Sequence, residues 1–109
     1  MIIINDSRDE WRAGDVRIYK DLSIALSSLE EEDLVDKSIN IYDLEGRRIK
    51  LSKSISFNGQ IEASYGEIFG GLESVLRENA RLLAIDIENC QGIDDLALSI
   101  FVKNPDPYT

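Results

Sequence analysis

The feature that most limits the folds open to this chain is a paired alternation near its middle. Ser38-Ile39-Asn40-Ile41-Tyr42-Asp43-Leu44 alternates in character, Glu45-Gly46 interrupts it, and Arg47-Arg48-Ile49-Lys50-Leu51 alternates again. Successive side chains of a strand point to opposite faces, so Ile39, Ile41, Ile49 and Leu51 share one face of a hairpin while charges populate the other. Gly46 supplies the positive φ that a tight turn needs. A second hairpin is expected from Ser54-Ile55-Ser56-Phe57 through Asn58-Gly59 to Gln60-Ile61-Glu62-Ala63-Ser64-Tyr65, because Asn-Gly between alternating runs is a strong hairpin cue. Together these predict a meander of three or four antiparallel strands.

The flanking segments read differently. Residues 1 to 5 fit either a short strand or an apolar tail, and Asp6 to Asp15 is polar, with Trp11 its only large apolar residue. Val16-Arg17-Ile18-Tyr19 reads as a strand. Asp21 is suited to cap a short helix whose face carries Leu22, Ala25, Leu26 and Leu29. That helix should stop near Glu30, since acids at a helix C-terminus oppose the macrodipole. From Glu67 onward the period becomes helical, through Phe69, Leu72, Val75, Leu76, Ala80 and Leu83. Leu83 to Ile87 alternates and also fits a strand. Ile93, Leu96, Ala97, Ile100 and Phe101 predict a last helix, with Asp94 and Asp95 in the first turn where acids belong. Asn104-Pro105-Asp106-Pro107 ends it. The whole is expected to be one domain over residues 1–109, with 1–15 and 104–109 the segments most open to loose ordering.

Charge and missing residue types narrow the chemistry. Asp and Glu number 21 against 12 Lys and Arg, a formal net charge of −9, which repels nucleic acid and anionic membranes and favours basic partners. There is no histidine, which removes the commonest general base and the commonest metal ligand together. The single cysteine, Cys90, excludes an internal disulfide and a multi-cysteine zinc site. No apolar run approaches the roughly 18 residues of a membrane span, and the start lacks a basic leader, so the expected address is the cytoplasm.

Candidate sites follow from these exclusions. Gly66, Gly70 and Gly71 match neither glycine-rich phosphate fingerprint and read as a strand-to-helix turn. Asp86, Glu88, Asn89, Asp94 and Asp95 are oxygen donors suited to calcium, but Cys90 and Gln91 break the EF-hand pattern, and a solvated loop before a helix explains the same residues. No catalytic residue, metal ligand or cofactor is expected. Nothing basic flanks Cys90 to activate it, and Trp11 reads equally as an interface anchor or as a cover for one end of the core. What remains is acidic: Glu30, Glu31, Glu32, Asp33 and Asp36 as first choice, Asp43 and Glu45 at the hairpin turn as second, and Asp86, Glu88, Asp94 and Asp95 as third. On a compact scaffold such groups are suited to pair with Lys and Arg lining a basic cleft.

Three stretches carry a resemblance: Val16-Arg17-Ile18-Tyr19, Ser28-Leu29-Glu30-Glu31-Glu32-Asp33-Leu34, and Ile41-Tyr42-Asp43-Leu44-Glu45-Gly46-Arg47-Arg48-Ile49. They resemble small bacterial immunity proteins of the contact-dependent growth inhibition and polymorphic-toxin type. These share a strand, a short helix, a Leu-Glu-x-x-Asp step and a hairpin with Tyr-Asp-x-Glu-Gly-Arg. The likeness covers about a third of the chain and does not extend past Lys53. It implies a non-enzymatic cytoplasmic protein that binds a cognate toxin domain and protects the cell that makes it, and the acidic surface points to a basic nuclease, an RNase, as that domain.

The expected architecture is α+β, an antiparallel sheet of about four strands with two or three helices packed mainly on one face. The expected partner is a basic toxin domain, not nucleic acid or membrane, and the expected state is a monomer or weak dimer. The contrasting expectation is a small regulatory or ligand-binding domain that acts as a homo-oligomer through an exposed strand. A carboxylate-based hydrolase is a third; it would require an acid in a deep cleft with a raised pKa.

Overall fold

In the computed structural model, which describes residues 1–34, 36–53 and 61–104, the chain is α+β. Among the described residues five antiparallel strands are joined by three helices: β1 (Ile2–Asp6), β2 (Asp15–Tyr19), α1 (Leu22–Ser27), β3 (Ile39–Asp43), β4 (Arg47–Lys53), β5 (Ile61–Ile68), α2 (Leu72–Leu82) and α3 (Ile93–Lys103). A single 3-10 turn, Glu31–Leu34, lies between α1 and β3. The sheet order is β2-β1-β3-β4-β5, one strand more than the alternation alone suggested.

The N-terminal residues form a strand, not a tail, and it pairs on both sides. Ile4 lies opposite Arg17 of β2 and Ile41 of β3. Ile2, Ile3, Ile4 and Asn5 are all buried. A strand covered on both faces has no reason to alternate, which is why Ile-Ile-Ile carries no period-two signal. Because β2 and β3 both run antiparallel to β1, they are parallel to each other, and the chain must cross between them. α1 and the 3-10 turn make that crossing.

Each face of the sheet has its own cover. On one, α2 and α3 place Leu72, Val75, Leu76, Ala80, Leu96, Ala97 and Ile100 against Ile3, Val16, Ile18, Tyr42 and Phe69. On the other, Ala25 of α1, with Leu22, Ile24 and Leu29, meets Ile2, Ile4, Tyr19, Ile41 and Ile49, and Ile39, Leu51 and Ala63 join from the strands. The helices therefore sit mainly on one face, with the shortest on the reverse.

Local chemistry sets the boundaries. Asp21 caps α1 by accepting the Ile24 N–H at 2.9 Å. α1 ends at Ser27, earlier than the acidic run suggested, because the Ser28 N–H and hydroxyl both turn back to the Ala25 carbonyl, at 3.2 and 2.6 Å. Gly46 has φ +85° at the β3–β4 turn, as its position demanded. The proposed Asn58-Gly59 turn lies outside the described residues, but its second arm is β5. There the pairing slips, with Arg47 opposite Ile68 and Ile49 opposite Tyr65, a bulge at Gly66-Glu67.

Leu83 to Ile87 does not form the alternative strand. α2 closes with Ala84 in the left-handed region at φ 56°. The Ile85 N–H reaches the Ala80 carbonyl at 2.9 Å and the Ala84 N–H reaches Arg81 at 3.1 Å, the bonding pattern of a Schellman cap. The segment then crosses the core with Leu83, Ile85 and Ile87 half-buried and Ala84 and Asp86 exposed. An extended loop over a core alternates without pairing.

Asn5 and Glu78 are among the residues that hold the polar loop between β1 and β2. Asn5, fully buried, donates from Nδ2 to the Arg12 carbonyl at 3.0 Å and accepts the Gly14 N–H at 2.9 Å. Glu78 of α2 accepts the Ala13 N–H at 2.8 Å and the Arg12 guanidinium at 2.9 Å. The Ala13 N–H is the chief reason the Glu78 carboxyl is held below its ordinary value. A side chain at Gly14 would place its Cβ 2.0 Å from the Asp6 carbonyl oxygen, so the loop closes only with glycine there.

Two substitutions test this account by urea unfolding. Asn5→Ala leaves the Arg12 carbonyl and the Gly14 N–H without the partner that ties the loop to β1 and should lower stability by about 2 kcal/mol. Ala84→Gly removes the left-handed strain and should raise stability by about 1 kcal/mol. No loss in the first, or a loss in the second, would contradict it.

Candidate functional site

The first-choice acids form a corner where α1 gives way to β3. Asp33 accepts the Glu30 N–H at 2.7 Å and returns its own N–H to the Glu30 carbonyl at 3.0 Å, so the Leu-Glu-x-x-Asp step closes a local ring. The Asp36 carboxylate accepts the Ser38 N–H at 2.9 Å and lies 2.8 Å from the Ser38 hydroxyl, which also faces Asp6 at 2.8 Å. Those contacts, the N–H first, hold Asp36 below the ordinary aspartate range. Glu30 and Glu32 point outward and are exposed. Among the described residues no Lys or Arg forms an ion pair with either. Glu30 is shifted upward, chiefly by Glu32 through a shared hydrogen bond and like charge, and then by Asp33. The carboxylates of this corner repel one another.

The fold adds two acids that linear spacing concealed. Asp6 and Asp15 face each other across the β1–β2 pair, at the end of the sheet where β3 begins. With Asp33 they border a hollow of about 240 Å³ floored by Ile4 and Leu29. Arg17 bonds Asp15 at 3.2 Å. Only the β1–β2 register brings these positions together, and that register depends on reading residues 2 to 6 as a strand.

The second choices and, of the third, Asp94 and Asp95 meet at the opposite end of β3, about 13 Å along the strand. Asp43 is committed within the hairpin. It accepts the N–H groups of Glu45 and Arg47, each at 2.9 Å, and the Arg47 Nε at 2.7 Å. Its side chain is 13% exposed, against 73% for Glu45. Burial alone would raise Asp43, but the Arg47 N–H, the Arg47 guanidinium and the Glu45 N–H outweigh it and hold the carboxyl low. Asp94 and Asp95 start α3 beside that turn, and with Glu73, Leu44 and Gln91 they edge an open depression of about 590 Å³. Asp95 accepts the Gln91 N–H at 3.0 Å. Asp86 accepts the Glu88 N–H at 3.0 Å and borders a different groove, beside the C-terminal half of α3. The structure thus makes two acidic ends, with Asp86 and Glu88 standing apart from both.

Other candidates resolve into packing. The Trp11 ring meets Phe69 edge-on at 4.8 Å and covers its end of the core while remaining exposed. The half-buried Cys90 thiol lies 3.6 Å from the Ser99 hydroxyl. Gly70 and Gly71 turn the chain from β5 into α2. On the α2–α3 face, Arg48 bonds Glu10 through Nε at 3.1 Å and lies 5.1 Å above the Phe69 ring. The Tyr42 phenol beside them is pushed far up, by burial first and the Glu10 charge second, and stays neutral. Among the described residues no group of three or more Cys, Asp or Glu is placed to hold a metal ion, and no helix is long and apolar enough to cross a membrane. Glu30, a carboxyl with a raised pKa, sits at the surface; the hydrogen bond it shares with Glu32 is the leading cause, followed by like charge, and enclosure comes last.

No described protein family, curated protein or solved structure matches this chain.

The lowered Asp43 gives a pH test. A carboxyl depressed on folding stabilises the fold fully above its ordinary value, 3.8, and that contribution fades as pH falls through the folded value. The stability gap between wild type and Asp43→Asn, followed by thermal unfolding, should be widest near neutrality and close as the pH drops below 3.8. A gap independent of pH would mean that the carboxylate charge is not what holds the turn.

Proposed function

We propose that this chain is an immunity protein that binds and neutralises a basic bacterial toxin domain, a nuclease, in the cytoplasm of the cell that makes both. The observation that supports it best is the placement of acids at the 3-10 corner, where Glu30 and Glu32 stand exposed beside Asp33, and where like charge adds to the hydrogen bond that raises Glu30. Glu30 and Glu32, with which no Lys or Arg forms an ion pair among the described residues, hold a local negative potential that a Lys- or Arg-lined cleft would relieve. Asp6, Asp15 and Asp36 widen the patch, while Asp33 and Asp36 keep its backbone in place. The resemblance to immunity proteins includes the same step, Leu29 to Asp33. Neutralisation of this kind needs no reaction by the inhibitor. Negative side chains occupy the positions that substrate phosphates would take.

The two acidic ends make different predictions. Glu30→Lys with Glu32→Lys should slow association with the toxin domain encoded beside this gene by about tenfold or more at low salt, with a shallower salt dependence. Glu45→Lys with Asp94→Lys should change it much less. Stopped-flow mixing measures both. Equal association rates for wild type and the Glu30/Glu32 pair would remove the corner as the interface. A neighbouring gene that encodes no toxin would remove the function.

A further inference from the structure

The outer side of α3 is apolar where it faces away from the core. Leu98 and Val102, one turn apart, are 51% and 70% exposed, and Leu82 at the end of α2 is 71% exposed. Leu98 and Val102, with Ala84 and Ile85, line an open groove of about 610 Å³ bordered by Asp86 and Lys103. Among the described residues Lys103 has no ion-pair partner, and the Asp86 contact is to the backbone N–H of Glu88. A chain of net charge −9 repels its own copies over most of its surface. This groove differs, because one rim is negative and the other positive.

We propose that the groove is the contact of a two-fold homodimer, formed by the α3 faces of two copies. In a two-fold interface the same patch meets itself, so each residue pair occurs twice. Lys103 of each copy would then meet Asp86 of the other while the Leu98 and Val102 rows pack together. A uniformly basic partner matches only one rim, whereas a second copy matches both. The dimer so formed is weak and reversible, with Kd on the order of 10–100 μM. The acidic corner lies on the reverse of the sheet, on the α1 side, and stays open in such a dimer.

Sedimentation equilibrium of the full chain alone, from about 10 μM to about 1 mM, tests this without any toxin present. Wild type should show a reversible monomer–dimer equilibrium. Val102→Glu should weaken it at least about tenfold, with unchanged circular dichroism because the position is exposed. Lys103→Asp should weaken it as well, and the double swap Asp86→Lys with Lys103→Asp should restore it. A wild type that stays monomeric throughout would overturn the proposal. So would a dimer indifferent to Val102→Glu, or a double swap that fails to restore association. Failure here leaves the neutralising role untouched, since that role rests on another surface.

Discussion

The structure depends on burying β1 from both sides. Ile3 projects into the core under α2 and α3, while Ile2 and Ile4 project into the one under α1, so a single short strand joins two hydrophobic clusters. Removing apolar side chains from water is the dominant favourable term in folding, and β1 is where the two contributions couple. Its one buried polar residue, Asn5, is no exception, because both ends of its amide are engaged by the loop that leads to β2. Neither core can form fully without the strand the other needs.

That dependence explains what could be read from residues alone. The β3–β4 hairpin was legible because Ile39, Ile41, Ile49 and Leu51 line one core while the alternate positions Asn40, Arg48 and Lys50 are polar, which writes period two into the chain even though Tyr42 on that second face is buried. α2 and α3 were legible for the same reason at period 3.6. β1 was ambiguous because full burial erases alternation. The 83–87 segment misled because a loop draped over a core also alternates, and its closing cap uses Ala84 in a conformation usually taken by glycine. The acidic corner was visible as composition, but Asp6 and Asp15 were not, since their proximity to Asp33 comes from strand pairing across the sheet.

The acids of this chain divide into those that hold structure and those that face outward. Asp21 caps a helix, Asp33 and Asp36 close turns, Asp43 fixes a hairpin and Glu78 ties a loop to α2. Asp33 and Asp43 fall within the stretches that suggested an immunity protein, so turn chemistry by itself accounts for part of that pattern. Glu30, Glu32, Glu45 and Asp94 face outward, and at Glu30 a hydrogen bond shared with Glu32, with like charge behind it, leaves its mark on the pKa. Net charge alone could not make this separation. Hydrogen-bond partners do.

The crossing of α1 over β1 has a consequence for how the protein is made. β1 leaves the ribosome first, yet its second neighbour, β3, begins only at Ile39. Until then the nascent segment has β2 on one flank and an open row of amides and carbonyls on the other. Contacts between distant parts of a chain form late because loop closure must precede them. The exposed interval ends when Ile39 to Asp43 slides in beside Ile2 to Asp6, so translation speed through residues 20 to 43 sets how long the first strand stays available for mispairing.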